Sequence, residues 1–135
     1  MIKRNGNKYG NKRFVADSVQ WDSKKEYQRW LVLRQAEADG LISDLERQPK
    51  FELIPAIKET YIKHLKTKDK VCERVVQLAC SYTADFRYVK DGKVVVEDVK
   101  ISPKMLPPEY ILREKMFRAK FGFSIKRVFN PTDEI

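Results

Sequence analysis

The dipeptide Asp91-Gly92, set between two runs rich in β-branched and aromatic residues, constrains this chain more than any other feature. Both residues accept the positive φ of a type I′ turn, so the pair predicts a two-residue β-hairpin. Its strands are a long run from Arg74 to Val89 and the segment 93–100, KVVVEDVK. A two-residue loop fixes the register. Lys90 pairs with Lys93 and Val89 with Val94, and continuing outward Asp85 falls opposite Asp98 and Thr83 opposite Lys100. A bulge would shift that register by one.

Side chains of a strand alternate between faces. One face then carries Thr83, Asp85, Arg87, Val89, Val94, Val96, Asp98 and Lys100. The other carries Tyr82, Ala84, Phe86, Tyr88, Val95, Glu97 and Val99. Opposed Cβ atoms lie about 4.5–5.5 Å apart, and like charges there are destabilising. Two opposed acids amid apolar neighbours therefore point to function rather than stability. A divalent cation would relieve the repulsion, because it takes carboxylate oxygens as ligands. Lys100 shares the face. Phosphodiester hydrolysis needs such parts: a metal that binds phosphate and activates water, and a cation for the developing charge. The competing reading is a solvated Asp-Asp-Lys cluster on an exposed sheet. Glu97 falls opposite Phe86 on the aromatic face, which makes Asp98 the preferred ligand.

The rest of the chain supplies a frame for this hairpin. Residues 1–12 read as a flexible basic N-terminal arm, and 13–135 as a single domain. Residues 13–20 read as a short strand. Asp22 or Ser23 caps a helix that runs to about Asp39 and stops at Gly40. Tyr27, Trp30, Leu31 and Arg34 make its stripe, widened by Leu33 and Ala36. Glu26 sits at the edge of that stripe. It either completes a capping box with Ser23 or points over the sheet as a third metal ligand. Residues 49–54, PKFELI, read as a strand. Residues 55–73, with five lysines, read as a strand extension or a basic loop. Pro103, Pro107 and Pro108 break the chain before a basic amphipathic helix at 109–121, with Ile111, Leu112, Met116, Phe117 and Phe121 apolar. Residues 123–129 form a last strand.

The net charge of +9 is concentrated in residues 1–13 and 102–128. Such a surplus suits a polyanion, although a basic surface kept for solubility has the same composition. Cys72, Cys80 and the lone His64 match no zinc spacing. No apolar run is long enough to span a membrane, and the polar start lacks a signal peptide. The chain is expected in the cytosol.

These residues resemble the PD-(D/E)XK nuclease superfamily. The acid of the first strand is Asp85 in SYTADF, the acid-x-Lys is Asp98-Val99-Lys100 in VEDVK, and the helical glutamate is Glu26 in DSKKEYQRW. Alanine occupies position 84, where the superfamily's name has proline. The chain is further similar to small phage and prophage members, and in layout to phage junction-resolving endonucleases, over about residues 13–128. The resemblance implies an α/β (α+β) restriction-endonuclease-like core, a mixed central sheet flanked by helices. It implies a Mg²⁺ or Mn²⁺ site at Asp85, Asp98 and Glu26, and Lys100 as the catalytic lysine. Gln48, before the PKFELI strand, is a weaker site candidate. Tyr110 and Arg113 on the second helix are candidates for phosphate contact but take no assigned role.

The leading expectation is thus a metal-dependent endodeoxyribonuclease, acting on DNA, with branched DNA such as a Holliday junction as the implied substrate in phage recombination or replication. Junction cleavage would call for a homodimer. A non-catalytic DNA-binding accessory protein on the same scaffold is the alternative. RNA as substrate stays open.

Overall fold

The computed structural model describes residues 14–135, so the expected basic arm at 1–12 lies outside the described residues. The strands are β1 (Phe14–Ala16), β2 (Val19–Trp21), β3 (Ser43–Arg47), β4 (Lys50–Ile54), β5 (Ile57–His64) and β6 (Asp69–Gln77). They continue with β7 (Cys80–Thr83), β8 (Phe86–Lys90), β9 (Lys93–Val99) and β10 (Lys126–Val128). Helix α1 spans Lys24–Ala38 and α2 spans Pro108–Phe121. The fold is mixed α+β, with a four-stranded central sheet in the order β10-β9-β8-β3. β10 lies parallel to β9, and the other pairings are antiparallel.

The hairpin forms in the predicted register as far as Phe86↔Glu97, and the expected Asp85–Asp98 pair is not part of the ladder. Asp91 and Gly92 take φ of 51° and 75°, and the ladder runs from Lys90↔Lys93 to Phe86↔Glu97. Alternation along β9 sends Val95 to one face and Val96 to the other. Val95 packs with Trp21, Leu33, Ala36, Phe86 and Tyr88, the core beneath α1. Val96 packs with Tyr82, Ala84, Tyr110 and Phe117, the core beneath α2. The two helices therefore flank opposite faces of the sheet.

Ser23 caps α1 as expected, its Oγ accepting the Glu26 N–H at 3.1 Å, and Gly40 follows the helix with φ 76°. The buried face is a surprise. It is Glu26, Arg29, Leu33 and Ala36, while Leu31 of the expected stripe is exposed. Arg29 can be buried because its donors are satisfied. It makes two 2.8 Å bonds to the Glu97 carboxylate and bonds the carbonyls of Pro131 and Asp133. In α2 the buried positions are Tyr110, Glu114 and Phe117, and Leu112 faces solvent.

Several expected strands differ. Residues 13–20 are not one strand. Asp17 and Ser18 at positive φ turn the chain, so β1 and β2 pair as a hairpin. β3, absent from the sequence reading, pairs with β8 at the edge of the sheet. Residues 55–73 belong to a third hairpin, β5–β6.

The long strand expected from Arg74 to Val89 is three strands, β6, β7 and β8. The break between β7 and β8 lies across from Gln48-Pro49. The Gln48 N–H donates to the Asp85 carbonyl at 2.8 Å, and the Ala84 N–H donates to the Pro49 carbonyl at 3.0 Å. Pro49 has no N–H for a ladder, and Gln48 adopts φ 54°. Alternation slips there. Tyr82 and Ala84 join Val96 on the α2 side instead of Phe86 and Tyr88. Thr83 pairs with Lys50 of β4, not with Lys100.

Among the described residues no helix is long and apolar enough to cross a membrane.

Candidate functional site

At the end of the β8–β9 ladder the two strands part, and the opening is a cleft of about 490 Å³. The N-terminus of α1 closes one side and the N-terminus of α2 another. Glu26, Asp85, Asp98 and Lys100 all line it, with Tyr110 and Arg113 of α2 at its wall. The four residues expected to act together are therefore brought to one place by α1, the β7–β8 break and β9.

Asp85 is fixed by its main chain and its carboxylate. Its N–H donates to the Glu97 carbonyl at 3.2 Å, and its Oδ2 accepts the Val99 N–H at 2.7 Å. Asp98 is buried, and its Oδ2 accepts the Tyr82 hydroxyl. The Lys100 ammonium lies 3.4 Å from Asp98 Oδ2 and 3.7 Å from the centre of the Tyr110 ring. Tyr110 is thus a cation–π seat for the lysine. The Lys100 main chain is pinned too, its N–H donating to the Val128 carbonyl at 2.8 Å and its carbonyl accepting Lys25 Nζ at 3.2 Å.

The acids repel one another. Burial, then the Asp98 charge and a hydrogen bond to it, then Glu26, hold the Asp85 carboxyl well above the usual carboxylate range, against the Val99 bond that lowers it. Glu26 is 2% exposed, and its Oε1 is buried without a hydrogen-bond partner. Burial first, then the Asp22 charge, and after the opposing Arg47 charge the Asp98 charge, push its pKa up to about 7. Burial and the Asp98 carboxylate likewise push the Tyr82 and Tyr110 hydroxyls upward.

A buried carboxylate oxygen with no donor is an uncompensated cost in the chain alone. Three carboxylates and no histidine or thiol form an oxygen-only donor set, which fits a hard divalent cation. The carboxylates of that set are Asp85, Asp98 and Glu26. As they stand, no group of three or more His, Cys, Asp or Glu side chains among the described residues is arranged so that it could hold a metal ion. Protein donors already occupy Asp85 Oδ2 and Asp98 Oδ2.

A family model matches residues 6–129 and is described as "Protein of unknown function (DUF1064)". The chain belongs to this family. No curated protein and no solved structure matches it. The cleft described above lies wholly inside the DUF1064 span.

Within this DUF1064 chain, Gln48 does not join the cleft lining. It is an exposed residue whose backbone N–H holds Asp85. Sequence reasoning missed Tyr82, which anchors Asp98, because simple alternation placed it on the far face. The Gln48-Pro49 pair between β3 and β4 is the available signal, since proline interrupts a ladder. It also missed Asp22, whose charge bears on Glu26 and which was weighed only as a helix cap. His64 lies on the exposed β5, paired with Asp69 at 2.8 Å, and both cysteines are free thiols, half-buried.

Proposed function

We propose that the chain is a metal-dependent endodeoxyribonuclease that hydrolyses DNA phosphodiester bonds. The observation that carries this reading is the shared cleft of Asp85, Asp98, Glu26 and Lys100, with an unpartnered Glu26 oxygen inside it. Asp85, Asp98 and Glu26 would hold a Mg²⁺ or Mn²⁺ ion, which when bound supplies a Lewis acid for phosphate and lowers the pKa of water. Lys100, held by Tyr110 and Asp98, would stabilise the negative charge that accumulates on a phosphate. Tyr82 fixes the Asp98 carboxylate by donating to Oδ2. The surplus of basic residues supports a polyanionic substrate.

With the resemblance to junction-resolving enzymes, branched DNA is the substrate class proposed, cut by a homodimer. We read the protein as phage- or prophage-encoded and working in the bacterial cytoplasm. The test is a cleavage panel of linear, flapped and four-way DNA, with Mg²⁺, Mn²⁺ or EDTA. The wild-type protein cuts only with a divalent ion. Asp98→Ala cuts at background while still binding DNA, and Lys100→Met loses roughly 10²–10³-fold in rate, the scale of one lost electrostatic stabiliser. Equal cutting by Asp98→Ala and wild type rejects the reading. Salt-sensitive binding with no cutting under any ion favours a DNA-binding accessory protein instead.

A further inference from the structure

The β5–β6 hairpin is a two-stranded ribbon that pairs with no third strand among the described residues. Its residues are exposed on both faces, Cys72 alone being half-buried. An isolated two-stranded hairpin is marginal in water, so a ribbon that projects this way is expected to meet a partner. Its charges identify which. Every acid on it is already engaged: Glu59 with Arg74, Asp69 with His64 and Glu73 with Lys58. The cations left over are Lys63, Lys66, Lys68 and Lys70, which have no ion-pair partner among the described residues and cluster at the tip. Lys63 and Lys70 are directly paired across the strands. Like charges opposed in this way destabilise a hairpin unless an anion lies against them. A second copy of the ribbon would add to that repulsion, whereas phosphates would remove it.

Shape narrows the choice. The major groove of B-DNA, about 12 Å wide, admits a two-stranded β-ribbon, whereas the deep, narrow major groove of A-form RNA does not. The ribbon is also continuous with the cleft. β6 leads through Leu78 and Ala79 into β7, whose Ser81, Tyr82 and Thr83 line the cleft wall. At about 3.3 Å per residue, chain from Lys68 to Ser81 reaches at most roughly 40 Å, near one turn of duplex.

We propose that the β5–β6 ribbon is a duplex-DNA-binding element that enters the major groove beside the cleft, with Lys63, Lys66, Lys68 and Lys70 on the phosphates. The proposal rests on the reading of DNA as substrate and not on cleavage. Its test is therefore binding, measured by fluorescence anisotropy in EDTA over a salt series, on the Asp98→Ala background. The full chain is used, with a labelled DNA duplex and an RNA duplex of the same sequence. Replacing the four lysines by alanine is expected to weaken DNA binding at least tenfold. It also flattens the slope of log K against log salt by up to about 3.6, at roughly 0.9 per lost phosphate contact. The four-arginine variant keeps both affinity and slope, and the RNA duplex binds more weakly than DNA. Unchanged affinity and slope in the alanine variant overturns the proposal. So does RNA bound as tightly as DNA through the same lysines, or a dimer in sedimentation that Ile62→Asp dissolves and the lysine changes do not touch. Absence of cutting by the wild-type protein under any divalent ion, with ribbon-dependent binding intact, would reject the nuclease reading and leave this one standing.

Discussion

Glu97 and Asp98 are neighbours on β9, and their surroundings are opposite. Glu97, fully buried on the α1 side, is matched by Arg29 through two 2.8 Å bonds and by the Tyr88 hydroxyl. Asp98, on the α2 side, meets Asp85 and the charge of Glu26, with Tyr82 and Lys100 as its donors. Both are acids removed from water. One is satisfied by the chain itself, and the other belongs to a group that the chain leaves crowded with like charge. Residues of the first kind hold a fold together. Those of the second kind cost stability unless something else binds.

The largest effect expected from this contrast is on stability. Glu97→Gln leaves the Arg29 guanidinium buried without its counter-ion and destabilises the fold by about 3–5 kcal/mol. Asp98→Asn removes a repelling charge and leaves the urea midpoint of the metal-free protein unchanged or raised. Equal losses in the two variants, measured side by side by urea unfolding, would break the comparison.

A smaller effect sharpens it. Glu26 has a folded-state pKa of about 7 against an ordinary 4.5. Between those values the unfolded chain gives up the proton that the folded chain keeps. The Glu26 contribution to the stability of the metal-free protein is therefore full below about pH 4.5, falls as pH rises towards 7, and is level above. Asp85, also raised, adds to the same downward slope. Glu114 and Asp133, whose carboxyls are lowered by Arg127 and by backbone N–H groups, act in the opposite sense and only below their ordinary values. In urea unfolding between pH 5 and 7.5 in EDTA, Glu26→Gln has the flatter profile. A wild-type midpoint that rises over this range would contradict the crowding of the three acids.

The Glu97–Asp98 division was legible in the sequence, because a two-residue turn sets register locally and strands alternate strictly. The same held for the Ser23 cap and the Gly40 stop, which depend on adjacent residues. What was not legible depended on distant ones. Tyr82 reaches Asp98 only because Gln48-Pro49, in the break between β3 and β4, interrupts the ladder beside Asp85. The inward face of α1 was misread because Arg29 looks solvent-exposed until Glu97, far along the chain, is placed against it. The β5–β6 ribbon was left open because it buries nothing, so no period of apolar residues marks which face is inside.

The central claim is that the acids around Asp98 are crowded because they hold a divalent cation. Thermal unfolding with and without millimolar Mn²⁺, for wild type and Asp98→Asn, tests it most directly, since a ligand that binds only the folded state raises stability by mass action. The account predicts that Mn²⁺ raises the wild-type Tm and leaves that of Asp98→Asn where it was. An equal shift in both proteins, or none in the wild type, would contradict it.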